Sequence, residues 1–309
     1  MGDVATDTLL EASAEKIEHG ESGGPGKKGK NEILYFALRN GKVRVGLVVV
    51  GLFLLIAIAG PWFARHEPFG YNSGAGGIAP NEQFWMGTTY QTQDVYSQFV
   101  HSLRAAFIVG GLSGSIATLI GMVIGFVSGY RGGWVDDLLS GVTNVVLTIP
   151  AIAVLIIIAA YLEVRSVFTQ SLLIGILNWP WVARAVRAQT FSLRNRDFVD
   201  LARMSSVPAL KIIFREIAPN MYSYLLMVLI LQFGGTILTA ATLDFLGLGP
   251  TNAISLGIMM SQAVEWNALQ FGLWWWFIPP GLAITCIVGA LYITNVGLDE
   301  VFNPRLRET

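Results

Sequence analysis

Apolar runs of about twenty residues dominate this chain and leave it few ways to fold. The clearest is VRVGLVVVGLFLLIAIAGPWF, from Val43 to Phe63. A helix rises about 1.5 Å per residue, so a run of about 20 apolar residues matches the thickness of a bilayer's hydrocarbon core. Inside that core every N–H and C=O must be satisfied by the protein itself, so helices are the default. Six segments qualify, at about residues 43–64, 102–129, 137–162, 167–183, 221–243 and 274–297. The expected fold class is therefore an all-α membrane protein with six transmembrane helices. Composition agrees: 53% of residues are hydrophobic and 13% charged, against about 25% charged in soluble domains.

The basic residues fix an orientation. Six spans divide the connecting segments into two sets. One set holds the N-terminal tail, the 130–136 turn, the 184–220 segment and the C-terminus, and carries seventeen of the twenty Lys and Arg residues. The other keeps only Arg65, Arg104 and Arg165. Positive charge is retained on the cytoplasmic side, so both termini and residues 184–220 are expected there. The 65–101 and 246–273 loops then face outward. Trp274, Trp275 and Trp276 stand at the outer start of the sixth span, where an interfacial belt or ordinary packing would equally use them.

Residues 1–40 read as a cytoplasmic tail and 41–309 as the membrane domain. No apolar h-region precedes Val43, so no cleavable signal peptide is expected. Within the tail, Gly24, Gly29 and Lys30 mimic a phosphate-binding loop. Asn31 follows where Ser or Thr is needed, and no strand precedes it to aim the amides; a solvated tail is the reading. Cys286 is the sole cysteine and the three histidines are far apart, which excludes an internal disulfide and argues against a metal site. No zinc motif occurs and no charged pair lies within a span, so the chain is not expected to be an enzyme.

The spans are poor in ionisable groups. Asp136 and Asp137 fall at a cytoplasmic turn, Glu163 at an outer one, and Asp244 near the outer end of the fifth span. Ion-coupled carriers place charged ligands at mid-membrane, so their scarcity favours a neutral conduit driven from elsewhere. Ser113, Asn144, Thr148, Gln232, Thr236 and Thr239 are the candidates for a translocation path, although such groups also serve as hydrogen bonds between helices.

Between the fourth and fifth spans lies the charge-rich stretch NRDFVDLARMSSVPALKIIFREIAPN, Asn195 to Asn220. It reads as two short helices. Phe198, Leu201, Ala202 and Ser205 share a face of the first. In the second, Pro208 suits a first helical position, and Leu210, Ile213, Phe214 and Ile217 repeat the i, i+3, i+4, i+7 spacing of an apolar stripe. Such a hairpin can lie on the anionic inner leaflet or enter the groove of a cytoplasmic partner; the spacing leaves both open.

The run FVDLARMSSVPALKIIFREIAPN resembles the EAA signature of ABC importer permeases. Asp200 stands at its Glu position, Leu201 and Ala202 at its two Ala positions, Ser206 at its Gly position and Pro219 at its closing Pro. The stretch AAFIVGGLSGSIATLIGMVIGFVSGYRGGWVDDLLSGVTNVVLTIPAI is similar to the second and third spans of the C-type permease subunit of dipeptide and oligopeptide importers. RNRDFVDLARM, KIIFREIAPN, LDFLGLGP and NPRL follow in that subfamily's order, so the likeness covers about residues 35–307. Departures gather at the outer side. FWMGTTYQTQD replaces a His-Pro-Leu-Gly-Thr-Asp type of run, and Ala240 stands where Glu is common. Ser206 for Gly implies either a hairpin turn without positive φ or one that Ser tolerates at a cost.

The resemblance implies a non-catalytic permease subunit in a bacterial inner membrane, importing peptides. It would pair with a second permease, two ATPase subunits and an extracytoplasmic binding protein, in contact with lipid and with no nucleic acid. ATP and Mg would bind the ATPases, and this chain would bind no cofactor. Asp200, Ala202, Ser206, Leu210, Ile213, Phe214 and Ile217 would form the coupling surface, within coupling helices at 197–217. The same architecture carries nickel chelates, glutathione or sugars in other systems, and an ion-coupled carrier is the more distant alternative.

Overall fold

The computed structural model describes residues 36, 38–71 and 76–302. The phosphate-loop mimic, most of the expected 1–40 tail and the NPRL block lie outside them. Among the described residues the chain is helical, with one isolated bridge between Thr88 and Asp94. The helices are α1 (Gly41–Phe63), α2 (Val95–Arg131), α3 (Gly133–Thr148), α4 (Ala151–Tyr161), α5 (Val167–Leu177) and α6 (Trp179–Leu193). After them come α7 (Asp197–Met204), α8 (Ala209–Ile212), α9 (Tyr222–Leu243), α10 (Leu256–Glu265) and α11 (Trp274–Phe302).

Four helical stretches are long and apolar enough to cross a bilayer: α1, α2, α9 with its extension to Leu248, and α11. Segment 137–162 is broken rather than straight. Pro150 lacks the N–H a helix interior needs and crowds the carbonyl four residues back, and it pushes Ile149 into extended geometry (ψ 123°). As a result α3 and α4 meet at 72°. Segment 167–183 also divides. α5 is a short apolar helix, and the chain turns at Asn178 into α6, whose Pro180 sits in the first turn.

α2 begins seven residues before the apolar run suggested, because Asp94 caps it by accepting from the Tyr96 amide at 3.0 Å. Its 37 residues reach about 55 Å at 1.5 Å per residue, well beyond a hydrocarbon core of about 30 Å. It therefore serves as the spine against which the other helices pack, and its most extensive partner is α6. Glycine makes that contact possible. A Cβ on Gly121 would stand 2.5 Å from Val182 Cβ, one on Gly125 2.7 Å from the Ala183 carbonyl, and one on Gly129 2.7 Å from the Arg187 carbonyl. Backbone meets backbone along this seam, as small residues allow in membranes. Gly114 does the same against the Phe233 backbone of α9, while Gly110 makes room for the Phe233 and Ile237 side chains.

The two segments expected to face outward pack on each other. Trp275 donates through Nε1 to the Thr88 carbonyl at 3.1 Å, and Tyr90 stacks on Trp266 and Phe271 at 5.5 and 5.7 Å. Trp275 and Trp276 are buried while Trp274 is exposed, so two of the three tryptophans pack in the core and one is left at the surface. The 246–273 loop contains a helix, α10, that has no counterpart in the apolar pattern; Ser255 caps it by accepting from the Ile258 amide.

Candidate functional site

The hairpin at 197–217 forms as two short helices, and its turn is a helix C-cap. The Val207 amide donates to the Ala202 carbonyl at 3.1 Å and the Ser206 amide to that of Arg203 at 2.9 Å. That pair of bonds is a Schellman motif, whose central residue must be left-handed. Ser206 accordingly has φ 55°. Of the two sequence alternatives, the turn with positive φ is the one adopted, and a residue with a Cβ tolerates it at a cost.

The apolar stripe of the second helix does not survive as one face. Past Ile212 the helix widens into a π turn at Ile213–Ile217, in which each turn takes in an extra residue. Spacing of 3 and 4 therefore stops defining a face, and residues five apart align instead. Ile212 and Ile217 turn inward together with Ile213, all at most 4% exposed, while Leu210 and Phe214 are each 65% exposed. The expectation that Ile213 and Ile217 reach a partner is corrected: they are buried in this chain's own cluster with Phe126, Val182, Val186 and Val199. Burial of each such side chain stabilises by about 1.5–3 kcal/mol. In the first helix Phe198 and Ala202 pack on the same cluster, but Leu201, placed on their face by the spacing, is exposed along with Met204.

Leu201, Met204, Leu210 and Phe214 thus form the hairpin's outer apolar surface. Its inner surface packs on the α2–α6 seam. Asp200 is exposed and pairs with Arg203 at 2.9 Å on its own helix. The Arg203 guanidinium also lies over the Tyr130 ring at the end of α2, 5.4 Å from its centroid. Its pKa is held above the ordinary arginine value, first by the Tyr130 hydroxyl; burial opposes this, and Asp200 adds a lesser push upward.

The six path candidates divide. Ser113 donates to the Ser171 carbonyl at 2.9 Å, Gln232 to that of Asn178 at 3.1 Å, and Thr236 to that of Gly110 at 3.3 Å. All three are buried, and each ties one helix to another; within this chain none of them faces an open lumen. Thr239 is half-buried and bonds back to the Gly235 carbonyl. Only Asn144 and Thr148 are exposed, both on α3; Thr148 bonds back to Val145 and Asn144 accepts from Arg184 at 2.9 Å.

Two charged groups are placed in ways the apolar pattern does not announce. Asp136 at the start of α3 is buried and takes both oxygens to Arg187 of α6, the Oδ2 contact at 2.6 Å, with Ser128 and Ser140 also donating. This pair stands where Gly125 and Gly129 bring α2 onto α6. Asp136 and Arg187 are 51 residues apart, and only the close approach of these helices joins them. Asp244, at the end of α9, is buried and accepts from Gln170 of α5. It opens a π turn, Asp244–Leu248.

A family profile and a set of curated relatives match this chain. The profile of the binding-protein-dependent transport system inner membrane component family matches residues 121–308. The chain is 30% identical to the dipeptide transport system permease protein DppC of Alkalihalophilus pseudofirmus over 270 residues, 85% of this chain and 86% of that protein. It is 28% identical to the oligopeptide transport system permease protein OppC of Bacillus subtilis, covering 85% and 86%. A putative peptide permease protein of Brucella suis is 29% identical, covering 87% and 88%.

Proposed function

The chain belongs to the family of binding-protein-dependent transport system inner membrane components, and from that premise we propose that it is the peptide-carrying permease subunit of an ATP-driven importer. It is a multi-pass protein of the bacterial inner membrane. The names of its relatives support peptides as the solute. Residues 41–309 form the permease domain, with six spans and both termini in the cytoplasm. α3 with α4 is the third span, and α5 with the start of α6 is the fourth. The excess of Lys and Arg on one side supports this orientation.

Power comes from two ATPase subunits, which bind the ATP and Mg. A second permease closes the path against this chain, and an extracytoplasmic binding protein delivers the peptide. The path runs along α3, where Asn144 and Thr148 are exposed, rather than past Ser113, Gln232 and Thr236, which hold helices together. Leu210 and Phe214 enter a groove on one ATPase, with Asp200, Ala202 and Ser206 setting the hairpin's shape. Ile213 and Ile217 pass the motion inward.

The observation that carries this reading is the division of one hairpin into a rooted face and a free apolar face. An exposed Phe and Leu one turn apart suit helix-in-groove recognition. The test is Phe214→Asp in the assembled transporter. Phe214 is exposed, so the chain should reach the membrane as wild type does, while ATPase co-purification and peptide uptake each fall at least tenfold. Normal values for both would sink the docking claim. Ile217→Asp is no substitute, because that residue lies in the core.

A further inference from the structure

Between α2, α3 and α6 lies a cleft of about 180 Å³. Its polar lining is Ser128, Ser140, Thr143, Asn144, Arg184 and Arg187. These groups are not equivalent. Arg187 is neutralised by Asp136 through two of its nitrogens, and Ser128 and Ser140 donate to the same carboxylate. Thr143 donates to the Leu139 carbonyl. Asp137 is exposed and outside the lining. The cleft's uncompensated charge is therefore Arg184. Its guanidinium gives one N–H to Asn144 Oδ1 at 2.9 Å, which leaves its other N–H groups and the Asn144 Nδ2 amide as donors. One fixed positive charge beside an amide donor suits a monoanion that accepts two hydrogen bonds, and charge-assisted bonds of this kind are the stronger ones.

We propose that this cleft holds the C-terminal carboxylate of the peptide at the cytoplasmic end of the path, with Arg184 and Asn144 as its ligands; the proposal rests on the peptide-importer reading and on its orientation. Asn144 lies on the exposed face of α3 assigned to the path, and Arg184 begins the basic 184–220 segment. At about 180 Å³ the cleft is smaller than the roughly 300–1,000 Å³ of drug-sized ligand sites. It takes a terminal residue rather than a whole peptide, so it reads the feature all peptides share and leaves the side chains unread. An exposed arginine also holds weakly, as an exit site must.

The test uses the purified complex of both permeases and both ATPases, without nucleotide or binding protein, in nanodiscs of zwitterionic lipid. Ala-Ala, its C-terminal amide and inorganic phosphate are titrated. The free acid should bind at least tenfold more tightly than the amide. Arg184→Gln should weaken the free acid at least tenfold, Arg184→Lys should recover part of the loss, and Asn144→Ala should weaken it about threefold, all in complexes that assemble as wild type. Equal binding of acid and amide, no binding of the acid, or an unchanged Arg184→Gln complex would overturn the proposal. So would displacement of Ala-Ala by phosphate at equal concentration, or its loss in discs containing phosphatidylglycerol, since either result assigns the cleft to a lipid headgroup. Failure of wild-type proteoliposomes, supplied with binding protein and ATP, to import any peptide would instead reject the peptide reading.

Discussion

Along the α2–α6 seam, backbone packs on backbone. Gly121, Gly125 and Gly129 leave no room for a side chain, and the Asp136–Arg187 pair closes the end nearest α3. In the hairpin at 197–217, side chains do the packing, and only on one face. Val199, Ile212, Ile213 and Ile217 are buried; Leu201, Met204, Leu210 and Phe214 are not. The two regions touch through a shared cluster with Phe126, Val182 and Val186. One is a joint with no slack and the other packs on one face only. A push on the hairpin's free face would therefore move the seam as a body, because packed interiors do not deform continuously.

That contrast breaks most visibly at the glycines. Gly125→Leu must displace the Ala183 carbonyl and Val186, which lie 2.7 and 2.8 Å from an added Cβ. Overpacking costs about 1–3 kcal/mol even where side chains can shift, and here the obstacle includes backbone. The amount of folded protein in the membrane should fall at least tenfold. Gly51→Leu, on α1 with nothing within 4 Å of an added Cβ, should leave it near wild type. Equal yields of the two variants, measured by fluorescence-detected size exclusion, would remove the seam's claim to be the rigid element.

The ion pair gives the next largest effect. Arg187→Ala leaves Asp136 buried and uncompensated. Such a loss costs about 3–5 kcal/mol when fully buried, and less here because the Arg187 side chain is 37% exposed. A melting temperature lower by several degrees is expected for the purified complex. Asp136→Asn with Arg187→Gln should recover more than half of the drop, since the remaining groups are neutral and can still hydrogen-bond. If the single effects merely add in the double variant, the two side chains act independently and the seam is closed by glycine packing alone.

The sequence made the spans legible wherever hydropathy alone decides. Segments 43–64, 221–243 and 274–297 correspond to single helices because twenty apolar residues have no other solution in a bilayer. It was less informative where one residue redirects the chain. Pro150 lies inside 137–162, but hydropathy counts that run as one span and does not show the 72° bend. The hairpin's stripe failed for a sharper reason. Periodicity of 3.6 presupposes an α-helix, and the π turn at Ile213–Ile217 changes the period without any change in composition. The polar residues of the spans were equally ambiguous. Ser113, Gln232 and Thr236 carry no local sign of whether they bond to a neighbouring backbone or line a path, and only the helix contacts decide it. Asp136 and Arg187 looked like unrelated turn and loop charges for the same reason.

The smallest expected effect tests how the hairpin holds its shape. Ser206 sits at φ 55°, where an L-residue with a Cβ is strained by roughly 1–2 kcal/mol. Ser206→Gly removes that strain but adds freedom to the unfolded chain, which costs about 0.5–1 kcal/mol. The net gain should be between nothing and about 1.5 kcal/mol, too small for a large change in melting temperature. Local opening reports it better. The Val207 and Ser206 amides close the Schellman turn onto Ala202 and Arg203, so their hydrogen exchange should slow a few-fold in the Gly variant. Ser206→Val places a branched side chain in the same left-handed position and should speed exchange at both amides by at least tenfold. The amides of α2 and α6 should be unchanged in either variant, because Ser206 itself is exposed. Equal exchange in the Gly, Ser and Val forms would mean that the turn is not held left-handed in the membrane, and Leu210 and Phe214 would then lose the fixed geometry that offers them to a partner.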